Sequence, residues 1–108
     1  MSQSNFSKIL LAAIEEGLSS LGESPMEAIL YHLEASFQLK KEEIPSNLPE
    51  FKRALEKIFG PGTPFLEKMI TRCLYEKLGL SFEEAESIDL LTYVDNAKKR
   101  IVTEMEVK

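Results

Sequence analysis

Few side chains in this chain are of the kind that make or break bonds. Its 108 residues hold one histidine, His32, and one cysteine, Cys73. A metal site of the usual sort draws on several His, Cys or carboxylate ligands at short spacings, and neither Cys-x-x-Cys nor His-x-x-x-His occurs. His32 falls off the apolar stripe of its helix and reads as a surface imidazole. Cys73 falls on a buried stripe with Met69, Ile70 and Leu74, where a thiol is an inert small hydrophobe. Carboxylates come as neighbours at Glu15-Glu16, Glu42-Glu43 and Glu83-Glu84. Neighbours on a helix point about 100° apart and do not converge on one proton; an acid/base pair would have to be assembled from separate helices. Gly60-Pro61-Gly62 follows a helical run and lacks the Lys-Ser/Thr ending of a phosphate loop, so it reads as a turn. No catalytic residue, cofactor or metal is expected, and the chain reads as a protein that is not an enzyme.

Two binding chemistries remain. Helices on either side of Gly60-Pro61-Gly62 have the outline of a helix-turn-helix. Lys52, Arg53, Lys57, Lys68 and Arg72 lie around it, and Lys52, Arg53, Lys68 and Arg72 make up the candidate nucleic-acid surface. Glu76 stands one turn beyond Arg72, where phosphate repulsion is felt. The net charge is −5, and even the most basic third, residues 49–78, holds six basic against four acidic side chains. Nucleic acid is therefore the alternative rather than the leading expectation. The leading one is a helical surface offered to a protein partner or to a second copy of the chain, as in a homodimer. Tyr31 and Tyr93 lie away from the centres of their apolar stripes, where a tyrosine is either an exposed contact residue or a second-layer core residue of a multi-helix bundle. The last helix carries a second apolar strip of Leu91, Val102 and Met105, with Lys98 among them. Tyr31, Leu91, Tyr93, Val102 and Met105 form the candidate partner surface.

These residues are positioned by helices whose ends are marked in the sequence. Three apolar runs stop at a glycine, at Gly22, Gly60 and Gly79, and a Ser or Thr follows each. Glycine accepts the left-handed conformation that closes a helix, Ser or Thr caps the next one, and proline suits its first turn. The first helix begins after Ser4 or Asn5 and turns Phe6, Ile9, Leu10, Ala13, Leu18 and Leu21 inward. Gly17 lies on that stripe and implies close approach of a neighbouring helix. Ser24 to Glu27 reads as a capping box opening a second helix with Met26, Ile29, Leu30, Leu33 and Phe37 buried. Residues 39–45 connect, with a short turn over 41–44 and a break before Pro45. Asn47 caps a third helix that buries Phe51, Ala54, Leu55 and Ile58. A fourth starts at Thr63 or Pro64 and buries Leu66, Met69, Ile70, Cys73, Leu74 and Leu78. Ser81 and Glu84 suggest a helical turn over 82–87, and a last helix spans about 88–103, with boundaries good to about ±2–4 residues. Its inner face is Leu90, Val94, Ala97 and Ile101.

No stretch alternates with period two and no hairpin turn signal occurs, so the expected fold is all-α, a bundle of about five helices in one domain over residues 1–108. A faint echo at an offset of 41 pairs Leu33 with Leu74, Phe37 with Leu78 and Leu39 with Leu80. It admits two readings, a duplicated helical hairpin or two ordinary amphipathic helices with similar ends. Apolar residues make up 44% and charged residues 29%, the balance of a folded globular chain. The longest apolar run, residues 9–14, is too short to span a membrane, the start lacks the marks of a secretory signal, and a lone cysteine fits a reducing cytoplasm.

Five short stretches carry a resemblance: Tyr31-His32-Leu33-Glu34, Glu43-Ile44-Pro45, Phe59-Gly60-Pro61-Gly62, Leu66-Glu67, and Leu74-Tyr75 to Leu78-Gly79. Over most of residues 20–97 the chain resembles a small archaeal family of helical domains, the Nitrosopumilus-type output domain. The matching residues are caps, turns and core. The resemblance implies an all-helical fold and a binding or relay role at the output end of signalling proteins, and it brings no catalytic residues. No sensor domain accompanies it within these residues.

Overall fold

The third of the glycine stops, Gly79, closes a helix in which every turn contributes to the core. In this computed structural model the backbone of residues 3–82 and 89–106 and the side chains of residues 5–82 and 89–101 are described. They form α1 (Gln3–Ser19), α2 (Glu23–Phe37), α3 (Leu48–Phe59), α4 (Thr63–Leu78) and α5 (Leu90–Glu106), with short 3-10 turns at Lys41–Ser46 and Gly60–Gly62. No strand occurs among the described residues. The radius of gyration, 13.7 Å, is that of a compact globule of this length. No described helix is long and apolar enough to cross a membrane.

α1 and α4 make the closest pair of the bundle. They run antiparallel: Glu16 meets Lys77, Gly17 meets Ile70, and Ser20 meets Met69. Gly17 has the role its spacing implies, because a Cβ there would stand 2.6 Å from Ile70 Cγ1 and 3.1 Å from Ile70 Cα. Leu10, Ala13, Ile14 and Leu18 of α1 and Leu66, Ile70 and Leu74 of α4 are buried along this seam, and the core continues into Leu33, Ile44, Phe51, Leu55, Leu90 and Val94.

Several expectations shift by a residue or a face. Leu21, expected inside, is 37% exposed, because α1 ends at Ser19 and the chain turns at Gly22 with φ +113°. Ile14 is buried on the same helix. Ser24 does not cap α2; the helix starts at Glu23 with Gly22 in the cap position, and Ser24 is exposed. The turn after α2 runs through Pro45 to Ser46 rather than breaking before it. Asn47 holds the cap position of α3, yet its side-chain NH2 donates backward to the Glu43 carbonyl at 2.9 Å. α4 buries a wider face than its apolar stripe. Thr63, Glu67, Thr71 and Tyr75 are inside while Met69, Cys73 and Leu78 are half-buried, since α4 is contacted by α1 on one side and by α3 and α5 on another. α5 extends to Glu106, past the expected end. The suggested turn over 82–87 lies outside the described residues, save for Phe82.

The offset-41 echo marks two similarly built helix ends. α2 closes on Gln38 (φ 53°) and α4 on Gly79 (φ 71°), both left-handed. Each is followed by a buried leucine, Leu39 or Leu80. The two halves are not packed alike: the close α1–α4 seam has no equal between α2 and α3.

Candidate interaction surfaces

The polar groups inside the bundle are engaged with one another. Glu67 of α4 is 5% exposed. Its Oε2 accepts the backbone N–H of Leu90 at 2.9 Å, the first residue of α5, and its Oε1 lies 3.6 Å from Lys52 Nζ of α3. Lys52 also reaches Glu56 at 3.3 Å. Burial disfavours the Lys52 cation, but Glu67, Glu56 and Asp89 outweigh it and raise its pKa. Just ahead of α5, Asp89 Oδ1 accepts the Thr92 N–H at 3.1 Å and the Thr92 hydroxyl at 2.9 Å. Burial opposes ionisation of Asp89, and the Thr92 bonds and the Lys52 charge reverse that, so its carboxyl sits below the usual value. These contacts tie α3, α4 and α5 together. Among the described residues no buried side-chain N or O lacks a partner, and no group of three or more His, Cys, Asp or Glu is arranged to hold a metal.

The residues singled out for chemistry lie apart. His32 is exposed, with Nδ1 3.4 Å from Ser36 Oγ and its ring edge-on to Phe37. Cys73 is half-buried rather than in the core; burial first, then Glu16 and Glu76, push its thiol up in pKa and away from the reactive thiolate. Glu15 and Glu16 diverge as their adjacency requires, Glu15 toward Lys41 at 3.6 Å and Glu16 toward Lys77 at 2.9 Å. Gly60–Gly62 is a 3-10 turn pinned by Thr63, whose hydroxyl donates to the carbonyls of Gly60 at 2.8 Å and Leu55 at 3.2 Å.

Of the candidate nucleic-acid cations, Lys52 is held between Glu56 and Glu67, and Arg53 Nη1 lies 2.9 Å from Glu50 Oε1. Lys68 is half-buried and Arg72 exposed. Lys52 and Arg53, which would meet phosphate, are thus matched by carboxylates.

The candidate partner residues divide. Tyr31 is 72% exposed in the middle of α2. Tyr93, open between a contact residue and a second-layer core residue, is in the core, 3% exposed. Its ring packs on Phe82 (5.2 Å) and Tyr75 (6.4 Å), and its carbonyl accepts the Tyr75 hydroxyl at 2.9 Å. α5 is therefore rotated so that Leu90, Tyr93, Val94 and Ala97 face inward together. Leu91 is half-buried and lines an open hollow of about 240 Å³ between α5 and the start of α3. Pro45, Leu48, Pro49 and Val94 share its apolar lining, and Asp95 and Lys98 stand exposed at it. Lys98 Nζ also sits 5.4 Å from the Phe6 ring centroid. The side chains of Val102 and Met105 lie outside the described residues. Phe65, 66% exposed on the first turn of α4, was not among the candidates; like Tyr31, it is an aromatic residue off its helix's apolar stripe, and that was the available signal.

No protein-family model, curated protein or solved structure matches the chain.

Proposed function

We propose that this protein is a non-enzymatic interaction module that presents a helical surface to a protein partner. The observation that carries this reading is the hollow beside Leu91. It is concave, lined by leucine, valine and proline, and bordered by one acidic and one basic side chain. Apolar floors with polar rims accept an anchoring side chain from a partner. The engagement of the polar interior supports the same reading, since the buried charges serve to join helices and do not converge on an open site. The family resemblance adds an output role in signalling and an archaeal origin to the proposal, and the composition adds the cytoplasm. The nucleic-acid alternative loses support because Lys52 and Arg53 already face carboxylates.

A photo-crosslinking lysine analogue at Lys98, beside the hollow, tests the proposal in the native host. A discrete protein adduct is expected at position 98 and not with the same analogue at exposed Arg53. Equal labelling at both positions, or none at 98, refutes the hollow as a docking site.

A further inference from the structure

α2 offers a second surface, distinct from the Leu91 hollow and independent of it. Its buried face comprises Ile29 and Leu33, with Met26, Leu30 and Phe37 half-buried. The opposite face is exposed from end to end at Ser24, Ala28, Tyr31 and Ala35. The alanines leave the Tyr31 ring standing clear, with no long side chain before or after it on that strip. Glu23, Glu27 and Glu34 are exposed and fall within about 40° of one another around the helix axis, alongside Tyr31. α2 carries no Lys or Arg. Among the described residues no salt bridge reaches these three carboxylates, whereas Glu15, Glu16, Glu50, Glu56 and Glu67 each have a cation within 4 Å.

An exposed aromatic ring beside a row of unbalanced carboxylates is complementary to one chemistry in particular. The ring offers apolar area and a face on which a guanidinium stacks, and the row attracts Lys or Arg at helical spacing. A second copy is a poor occupant, since two α2 helices laid together bring glutamate rows into proximity. Phosphate-rich surfaces are repelled outright. We infer that the outer face of α2 docks a cationic amphipathic helix of a partner protein, with an apolar residue against Tyr31 and Lys or Arg along Glu23, Glu27 and Glu34.

The test uses the full chain, isotope-labelled for NMR, and a synthetic helical peptide with a leucine stripe flanked by lysines. The control peptide has glutamate in place of each lysine. The lysine peptide is expected to shift amide resonances around Glu27, Tyr31 and Glu34 and to bind more weakly as salt rises. Tyr31→Ala, and separately the pair Glu27→Lys and Glu34→Lys, are each expected to weaken it about tenfold without moving the melting temperature, because all three positions are exposed. Shifts centred on the Leu91 hollow or scattered over the surface, equal binding of the glutamate peptide, or undiminished binding by the variants would overturn the inference. So would a sedimenting dimer that Tyr31→Ala dissolves, which would make a second copy the occupant.

Discussion

Replacing Glu67 separates what its two oxygens do. Oε2 supplies an acceptor to the first N–H of α5 and Oε1 faces Lys52 at 3.6 Å. Hydrogen bonds to charged groups contribute about 1.5–3 kcal/mol. Truncating one partner of a fully buried ion pair costs about 3–5 kcal/mol, but the Lys52 side chain is 23% exposed and its partner lies beyond hydrogen-bond distance. The charge contribution is therefore discounted toward that of a surface pair, about 0–1 kcal/mol. Glu67→Ala is expected to destabilise by about 2–3 kcal/mol, read as a fall in melting temperature of roughly 8–20 °C for a domain of this size. Glu67→Gln keeps an acceptor for Leu90 and should cost about 1 kcal/mol. Lys52→Met leaves the acceptor untouched and should cost less than about 1 kcal/mol. Chemical denaturation of the three variants, read by circular dichroism, gives the order. If Glu67→Gln is as damaging as Glu67→Ala, charge rather than the hydrogen bond seats α5. If Glu67→Ala stays within about 0.5 kcal/mol of wild type, as surface substitutions do, the carboxylate does not hold the helix at all.

Three further perturbations have signs set by the geometry. Gly17→Ala raises helix propensity by about 1 kcal/mol yet drives a methyl into Ile70, so calorimetry should show net destabilisation of about 1–3 kcal/mol. Gln38→Gly relieves a left-handed non-glycine residue at the end of α2 and should raise stability by about 0.5–1 kcal/mol in urea titrations. Asp89 has a depressed folded pKa, so its contribution is fully present above the unfolded value of about 3.9 and is lost as pH falls through the folded one. Asp89→Ala should accordingly cost about 1 kcal/mol at neutral pH and progressively less in acid, measured by denaturation across that range.

Glycine stops and apolar spacing revealed the helix count and most of the core, because both depend on local backbone freedom and on a 3.6-residue period. Gly17 was legible for the same reason: an expensive residue on a buried stripe implies a close neighbour. What stayed hidden depended on which helix lies where. Ser24 and Asn47 have cap chemistry, but the chain entered α2 two residues early and the Asn47 amide found the Glu43 carbonyl instead. Tyr93 lies at the margin of its apolar stripe, and Glu67 is of a residue type almost never buried unless paired. They are buried because α4 and α5 are covered on more than one side; the Glu67 carboxylate accepts the Leu90 N–H, and the Tyr93 carbonyl accepts the Tyr75 hydroxyl. Of the candidate surface, Tyr31 was recognisable as an aromatic residue off its stripe. The hollow at Leu91 needs Pro45 and Pro49 brought against α5, and no local pattern encodes that.

The notch at Gly17 also sets a ruler along the bundle. A slip of α1 by one helical turn would bring Ala13 against Ile70, where a Cβ at the Gly17 position would already stand 2.6 Å from Ile70 Cγ1. Sliding by such a step, a common way for packed helices to switch state, is thereby closed to this pair. A partner docked on α2 or α5, as proposed above, would act on the bundle by tilting or lifting the outer rods, while the central two keep their alignment.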